Sequence, residues 1–496
     1  MSGRLEKSPD EVVQRLIIAP GLAKELSSHY EYFLDINTAH LLSLTDRGLL
    51  PEEEAAQIQR ATEDMRIAGP ESLPLSPEHE DLYFTIESDL IHRVGPELGG
   101  KLHTGRSRND ILATVARLRA RREVSRALGR LLELRTTLLT LAQEHTASVI
   151  SGYTHLQAAE PITLGHYFTA VLQSLQRDSE RLLSCLSRID RSPLGSGAMA
   201  STTFPLDREG TAELLGFEAV AENSLDAVAS RDFAVEMLST LALMTNSLSR
   251  FAHDLYIWNT SEFSYAEVDS GIAVTSSIMP QKKNPVTLEH IKGKTSHVEG
   301  ALVSILTSLK SSAYSHSRES GVEALRFTWD GAAEACSAVE LFTHTLRMTT
   351  FNTERMRAAA ASNFSCLTEV ANELVRHQGM PFRTAHHIVG SLASLCLDRG
   401  LTAQDITPEM ISDVAASHGS GPVRLSPELV ARALDPLANV GARLTRGAPA
   451  PAEVSRQISL LQERAEGDSL LLEEVTQRWK EAKDELRQRT INLTER

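Results

Sequence analysis

The chain has 496 residues, of which 42% are hydrophobic and 23% charged, and a net charge of -15. Single cores rarely grow past ~250–300 residues, so about three domains are expected, and the composition excludes a disordered or fibrous chain. The acidic balance excludes the broad basic footprint that nucleic acid or an anionic membrane requires.

No window approaches the ~20 apolar residues of a membrane span, and the opening "MSGRLEKSPDEVVQ" lacks a signal-peptide core. A cytoplasmic protein is expected. Residues 1–105 are read as an N-terminal helical domain, with a turn-rich stretch, "AGPESLPLSPEHED", from Ala68 to Asp81.

Four long periodic segments follow. The first runs from Ile111 to about Glu144. The second places Phe168, Val171, Leu172, Leu175, Leu182, Leu183, Leu186 and Ile189 on one helical face, behind a Pro161 that suits a first helical position. The third spans Phe233 to Leu255 and the fourth Leu288 to Leu309. Globular helices average ~11–12 residues, so spans near thirty need neighbours along their whole length. A central bundle domain over residues 106–360 is predicted, its remaining faces covered by identical subunits.

After Ala360 the pattern shortens. "LTEVANELVRHQG" ends in a glycine suited to a helix C-cap, and "PFRTAHHIVGSLASLCLDRG" opens on Pro and closes on Gly. These mark a C-terminal helical domain over residues 361–465. Residues 466–496 read as an amphipathic helical tail with Leu471, Leu472, Val475, Trp479, Ala482 and Leu486 on one side. The fold class is thus all-α, in three mostly helical domains around a long bundle. Cys185, Cys336, Cys366 and Cys396 lie far apart and are read as reduced core residues.

Three polar segments interrupt the helices: "KLHTGRSRND" (Lys101 to Asp110), "SGYTHLQAAEP" (Ser151 to Pro161) and "TSSIMPQKKNPV" (Thr275 to Val286). Each alone has a bland reading, as a helix cap, a structural histidine or a solvated lysine pair. Together they offer three cations (Arg106, Arg108, Lys282), neutral donors (Ser107, Asn109, Thr154, Asn284), the imidazole of His155 and the hydroxyls of Ser276 and Ser277. That inventory fits a small polycarboxylate substrate, with helix N-termini adding positive potential. No metal-ligand spacing and no nucleotide-binding glycine motif is present, so no cofactor is expected and the chemistry falls to side chains.

The segments "HTGRSRND", "GYTHLQ" and "SSIMPQKKNP", in this order, resemble the signature regions of the argininosuccinate lyase branch of the fumarase/aspartase superfamily. "SPLGSGAMA", "NSLDAVASRDF" and "DPLANVGARLTRGAPAPAEV" extend the resemblance from about Met1 to Ala465. It implies a twenty-helix core in a homotetramer, with active sites assembled from three subunits. It also implies a reaction in which a proton leaves the carbon beside a carboxylate and an amine leaves the next carbon, giving fumarate.

By resemblance Ser276 is the general base and His155 an acid or acid-positioning residue. Ser107, Arg108, Asn109, Thr154 and Arg231 bind substrate, while Lys282 and Asn284 hold the carboxylate that takes up the developing charge. Pro280 and Pro285 restrict a loop that closes over the substrate.

The chain departs from the family at Thr275, Val286, Ile111 and Ser230, where Gly, Asp, Gln and Asp are usual. It departs further in "SAYSHSRESGVEALRFTWD" (Ser312 to Asp330), where the stretch from Ser317 to Ala324 lacks the Tyr and Gln that hold arginine in argininosuccinate lyases. The expectation is a C–N lyase with a rebuilt amine side. The alternatives are a housekeeping argininosuccinate lyase and a catalytically silent structural relative.

Overall fold

The computed structural model describes residues 8–76 and 78–495; the first seven residues of the opening stretch, on which the signal-peptide expectation partly rests, lie outside them. The chain is mostly helical. Helices α1 (Ala19–Asp46), α2 (Glu52–Ala68) and α3 (Leu82–Val94) come first. Helix α4 (Arg108–Glu144) leads to a hairpin of strands β1 (Val149–Thr154) and β2 (Gln157–Thr163), then to α5 (Leu164–Ile189) and α6 (Asp232–Trp258). The short strands β3 (Val274–Thr275) and β4 (Lys283–Asn284) precede α7 (Val286–Leu309) and α8 (Thr328–Arg347). Shorter helices α9 (Leu367–Gln378) and α10 (Phe382–Asp398) follow, and α11 (Pro451–Thr494) ends the chain.

Helices α4 to α8 pack on one another as a five-helix bundle. The fifth, α8, was not separated in the sequence reading. Leu128, Leu131, Leu172, Leu175, Leu241, Met244, Ile291, Val298 and Val339 are fully buried along its axis, where the three–four spacing of each helix turns one apolar stripe inward. A second apolar cluster joins α1, α2 and α3 to the start of α4, and a third lies within residues 366–434. All four cysteines are buried and unpaired. Gly379 adopts the left-handed conformation that ends α9, as its place in the sequence implied.

Pro161 does not open a helix. It sits in β2 opposite Ser151, and α5 begins at Leu164, where the Thr163 hydroxyl accepts a hydrogen bond from the His166 amide at 3.0 Å. A two-stranded hairpin leaves each strand a free edge, so a residue without an N–H is tolerated there.

Residues 466–494 continue the helix that starts at Pro451. This 44-residue helix packs on α4 and α5 of its own subunit and reaches α2. Arg135 of α4, wholly buried, donates to Asp468 at 2.5 Å, to Ser179 at 2.9 Å and to Gln176. Further along, Trp479 stacks on Arg121, and Leu486 and Leu493 enter the N-terminal cluster. Among the described residues, no helix is long and apolar enough to cross a membrane.

Removing one partner of a buried ion pair strands the other charge, at a cost of about 3–5 kcal/mol. Asp468→Ala is expected to lower stability by that order in chemical unfolding, because Arg135 makes no other ion pair among the described residues; an unchanged midpoint would show that the clamp contributes nothing.

Candidate active site

The N-terminus of α4 is held by a reciprocal cap. Ser107 accepts from the Asn109 amide at 3.3 Å, while the Asp110 carboxylate accepts from the Ser107 amide at 3.0 Å. The second Asp110 oxygen accepts from the Gly195 and Gly197 amides at 3.0 and 2.9 Å, which pins the "SPLGSGAMA" loop against the helix start. Burial pushes the Asp110 carboxyl up to about 6, against the pull of those three amides and of Arg106. Asn109 donates to the Ala198 carbonyl of the same loop at 3.1 Å. Ser107 and Asn109 are thereby fixed in place before any substrate arrives.

Arg108 lies over the Phe84 ring and donates to Glu80 at 2.8 Å and Asp81 at 3.2 Å. Arg318 approaches the same two carboxylates, at 3.5 and 3.7 Å. Arg231, which precedes α6, is only 3% exposed and donates to the Val228 and Ser230 carbonyls of its own turn. Arg106, the third cation of the polar segments, is 7% exposed and lies near His40 and Tyr83 of the N-terminal helices.

At the other end of the bundle stand the hairpin and the serine loop. Thr154 pairs with Gln157, so His155 and Leu156 alone make the turn, both with positive φ, 55° and 58°. Such a two-residue turn favours Asn-Gly; for His and Leu the left-handed conformation is strained, and strain of this kind collects at functional sites. The hairpin lines a cavity of about 920 Å³ with Tyr167, Asp254, Trp258 and Phe263.

Ser276 opens the loop between β3 and β4, its hydroxyl accepting from the Ile278 and Met279 amides at 3.3 and 3.0 Å. The loop stands out from the subunit, with Ile278 82% exposed and Met279 exposed as well. The adjacent lysines differ: Lys283 is bound to Glu267 at 2.7 Å, whereas Lys282 makes no ion pair among the described residues.

One subunit therefore brings together Ser107, Arg108, Asn109 and Arg231 at one end. Thr154, His155, Ser276, Lys282 and Asn284 are carried at the other. The hairpin cavity is walled by Asp254, Ile257 and Trp258 at the far end of α6 from Arg231. At 1.5 Å per residue, α6 separates the two groups by about 40 Å and α4 by about 55 Å. No small substrate spans that distance.

Sequence reasoning missed three groups at the Arg231 end: the Glu80–Asp81 pair, Glu25 and His316. Glu25 is pushed up to about 7 by burial and then by Asp81, against the Leu82 amide, Arg318 and Arg119. His316 is pushed down to about 4 by burial, then by Arg231, Arg318 and Arg108. The clustering of "EHED" and "SHSRES" charges was the available signal, but nothing in the spacing says that these stretches meet. Among the described residues, no group of three or more His, Cys, Asp or Glu is placed to hold a metal ion.

Residues 25–300 match the family profile described as Lyase, and residues 364–441 the one described as Argininosuccinate lyase C-terminal. Argininosuccinate lyase 1 of Shouchella clausii is 46% identical over 96% of each chain. A match of that extent reaches past Ala465 into the terminal helix, further than the sequence motifs indicated. Argininosuccinate lyase of Methanothermobacter thermautotrophicus is 40% identical, covering 86% of this chain and 90% of its own. Among solved structures, EDDS lyase in complex with formate has a TM-score of 0.89 at 32% identity, covering 95% of this chain and 93% of that one. A fumarate lyase from Mesorhizobium, at 20% identity and a TM-score of 0.71, shares the fold.

Glu25 supplies a pH test. Its folded pKa of about 7 lies above the ordinary 4.5, so the folded state disfavours the ionised form, and stability present below 4.5 is lost as pH rises through 7. Glu25→Gln keeps a neutral side chain, and parent and variant should diverge by about 3 kcal/mol between about pH 4 and pH 8. Unfolding curves that run parallel across that window would refute this.

Proposed function

The chain belongs to the argininosuccinate lyase branch of the fumarase/aspartase superfamily and is a carbon–nitrogen lyase, and from that premise we propose that it splits an N-substituted aspartate into fumarate and an amine, or runs the addition in reverse. The observation that carries the reading is the serine loop: a half-buried hydroxyl, an exposed cation without an ion pair among the described residues, and a half-buried amide, Ser276, Lys282 and Asn284, stand on one loop while the neighbouring Lys283 is bound to Glu267. A carbon acid beside a carboxylate is weak, so its removal needs a strong base and fixed donors for the extra charge on the aci-carboxylate. In this proposal Ser276 takes the proton as an alkoxide, and Lys282 and Asn284 hold the carboxylate that gains the charge. His155, preset by its strained turn, is the acid or acid-positioning group at the leaving nitrogen. Ser107, Asn109 and Thr154 bind the rest of the fumarate half, with Arg108 beside them.

Since one subunit holds these residues at opposite ends, the working site is proposed to form between copies in a homotetramer whose five-helix bundles make a twenty-helix core. Leu243, Val303 and Leu306, exposed on α6 and α7, support burial of those faces by further copies. The protein is proposed to work in the cytoplasm, without a cofactor.

Argininosuccinate is the substrate that the relatives' names favour. A second reading, an aspartate carrying a different amine, is favoured by the segment from Ser312. There Ser317 and Ser320 bond each other at 3.1 Å, Tyr314 donates to Asp226, and Arg318 is committed to Glu80 and Asp81, leaving few free groups for an arginine tail.

Comparison of kcat/KM for argininosuccinate and a panel of aspartate adducts, followed by fumarate release, decides between the two. A value of ~10⁴ M⁻¹s⁻¹ or above for argininosuccinate, exceeding every other adduct, fixes the housekeeping reading. Ser276→Ala is expected to lower kcat at least ~10³-fold for the best adduct, in line with loss of a base and its oriented charge, and Ser277→Ala far less; near-parental turnover in Ser276→Ala rejects the base assignment.

The separation of the two groups predicts complementation. Asn109→Ala and Ser276→Ala enzymes, each inactive alone, should regain part of the parental activity after being unfolded together and reassembled. Mixed tetramers that stay inactive would refute sites shared between copies.

A further inference from the structure

The terminal helix α11 and the N-terminal helices enclose a cleft whose walls carry no residue assigned to the elimination. Its outer lobe, of about 320 Å³, is bounded by Asp35 of α1, Glu63 and Arg66 of α2, and Lys483, Leu486 and Arg487 of α11. An inner lobe of about 160 Å³ shares Asp35, Lys483 and Leu486 and continues to Leu118, Leu214 and Trp479. Trp479, Lys483, Leu486 and Thr490 recur at spacings of four, three and four, so one stripe of α11 faces the cleft. The helix is fastened on either side of that stripe, by Arg478 to Asp190 and by Arg489 to Asp46 at 2.7 Å.

The two walls carry opposite charge and do not pair with each other. On the α1 and α2 wall three carboxylates, Glu31, Asp35 and Glu63, share the single guanidinium of Arg66. One oxygen of Asp35 takes that bond, at 2.9 Å, and the side chain is 18% exposed. Burial raises the Asp35 carboxyl, against the pull of Arg66 and then of Lys483 across the gap. Lys483 and Arg487 nevertheless make no ion pair among the described residues, and Asp484 and Glu485 of the same helix do not line the cleft. In the inner lobe the lining turns apolar, and Trp479 Nε1 is buried without a hydrogen-bond partner.

A lone anion in the outer lobe would meet Asp35 and Glu63, and a lone cation would meet Lys483 and Arg487. A ligand that carries both charges a few atoms apart leaves neither wall unpaired. We propose that the cleft binds a free α-amino acid with an aliphatic side chain. Its ammonium is held by Asp35, its carboxylate by Lys483 with Arg487, and its side chain enters the inner lobe against Leu118, Leu214 and Leu486. Charge-assisted hydrogen bonds orient the head group, and burial of the aliphatic part adds affinity. Because α11 forms one wall and α1 and α2 the other, the bound ligand ties the terminal helix to the N-terminal helices. The site is independent of the lyase reading, since it needs only the cleft.

The test is calorimetric titration of the full-length protein with L-leucine, glycine, 4-methylpentanoate and isopentylamine, each up to ~10 mM, which covers a Kd of about 1 mM. L-Leucine is expected to bind once per subunit and at least tenfold more tightly than each of the others, which lack the side chain, the ammonium and the carboxylate respectively. Lys483→Gln, which breaks no ion pair, should weaken leucine at least tenfold, and Arg487→Gln should weaken it less. Absence of leucine binding, or binding of 4-methylpentanoate or isopentylamine as tight as that of leucine, overturns the proposal. So does undiminished binding in Lys483→Gln, because the leucine then sits elsewhere.

Discussion

A helix of 37 residues is a rod about 55 Å long, and the rigid length of α4, with that of α6 beside it, governs everything else in this molecule. Each rod carries functional groups at its ends and apolar residues between, because only the buried stripe can offset the conformational entropy of so long an ordered segment. The chemistry is therefore divided. Ser107, Asn109 and Arg231 stand where α4 and α6 begin, and the hairpin and serine loop stand where α6 ends and α7 begins. That division is the reason for proposing that another copy completes the site.

The two ends are prepared differently. At the α4 start, one buried carboxylate, Asp110, accepts three amides from two segments, so the backbone around Ser107 and Asn109 is fixed by the fold itself. At the other end the loop holding Ser276 is tied by the two short pairs of β3 and β4 and by the Lys283–Glu267 ion pair, and it stands exposed at Ile278. A fixed half and an exposed loop suit the proposed site, which would assemble and then close around its ligand.

Charge follows the same division. The Arg231 end concentrates Arg108, Arg231 and Arg318 around His316. Glu80 and Asp81 pair with Arg108 and Arg318, and burial lowers Arg231 to about 10 without removing its charge at neutral pH. Guanidiniums held this close together are unfavourable to one another unless carboxylates or an anionic ligand offset them.

The sequence by itself determined the helices, since the three–four spacing of Phe168 to Ile189 or Phe233 to Leu255 suits one buried helical face, and it determined the cap at Gly379. It also marked the loop of Ser276, Lys282 and Asn284, because a serine pair before Pro280 and a lysine pair between Pro280 and Pro285 suit neither helix nor strand. Pro161 was misplaced because a hairpin as short as β1 and β2 leaves no periodicity to distinguish it from a helix start. Only the tertiary structure decided that Lys283 is taken by Glu267 and Lys282 is not, that Arg106 is buried, and that His316 and Arg231 meet beside Gly321. Those facts depend on which segments pack together, and local spacing carries no information about contacts such as that between Gly321 and Arg231, ninety residues apart in the chain.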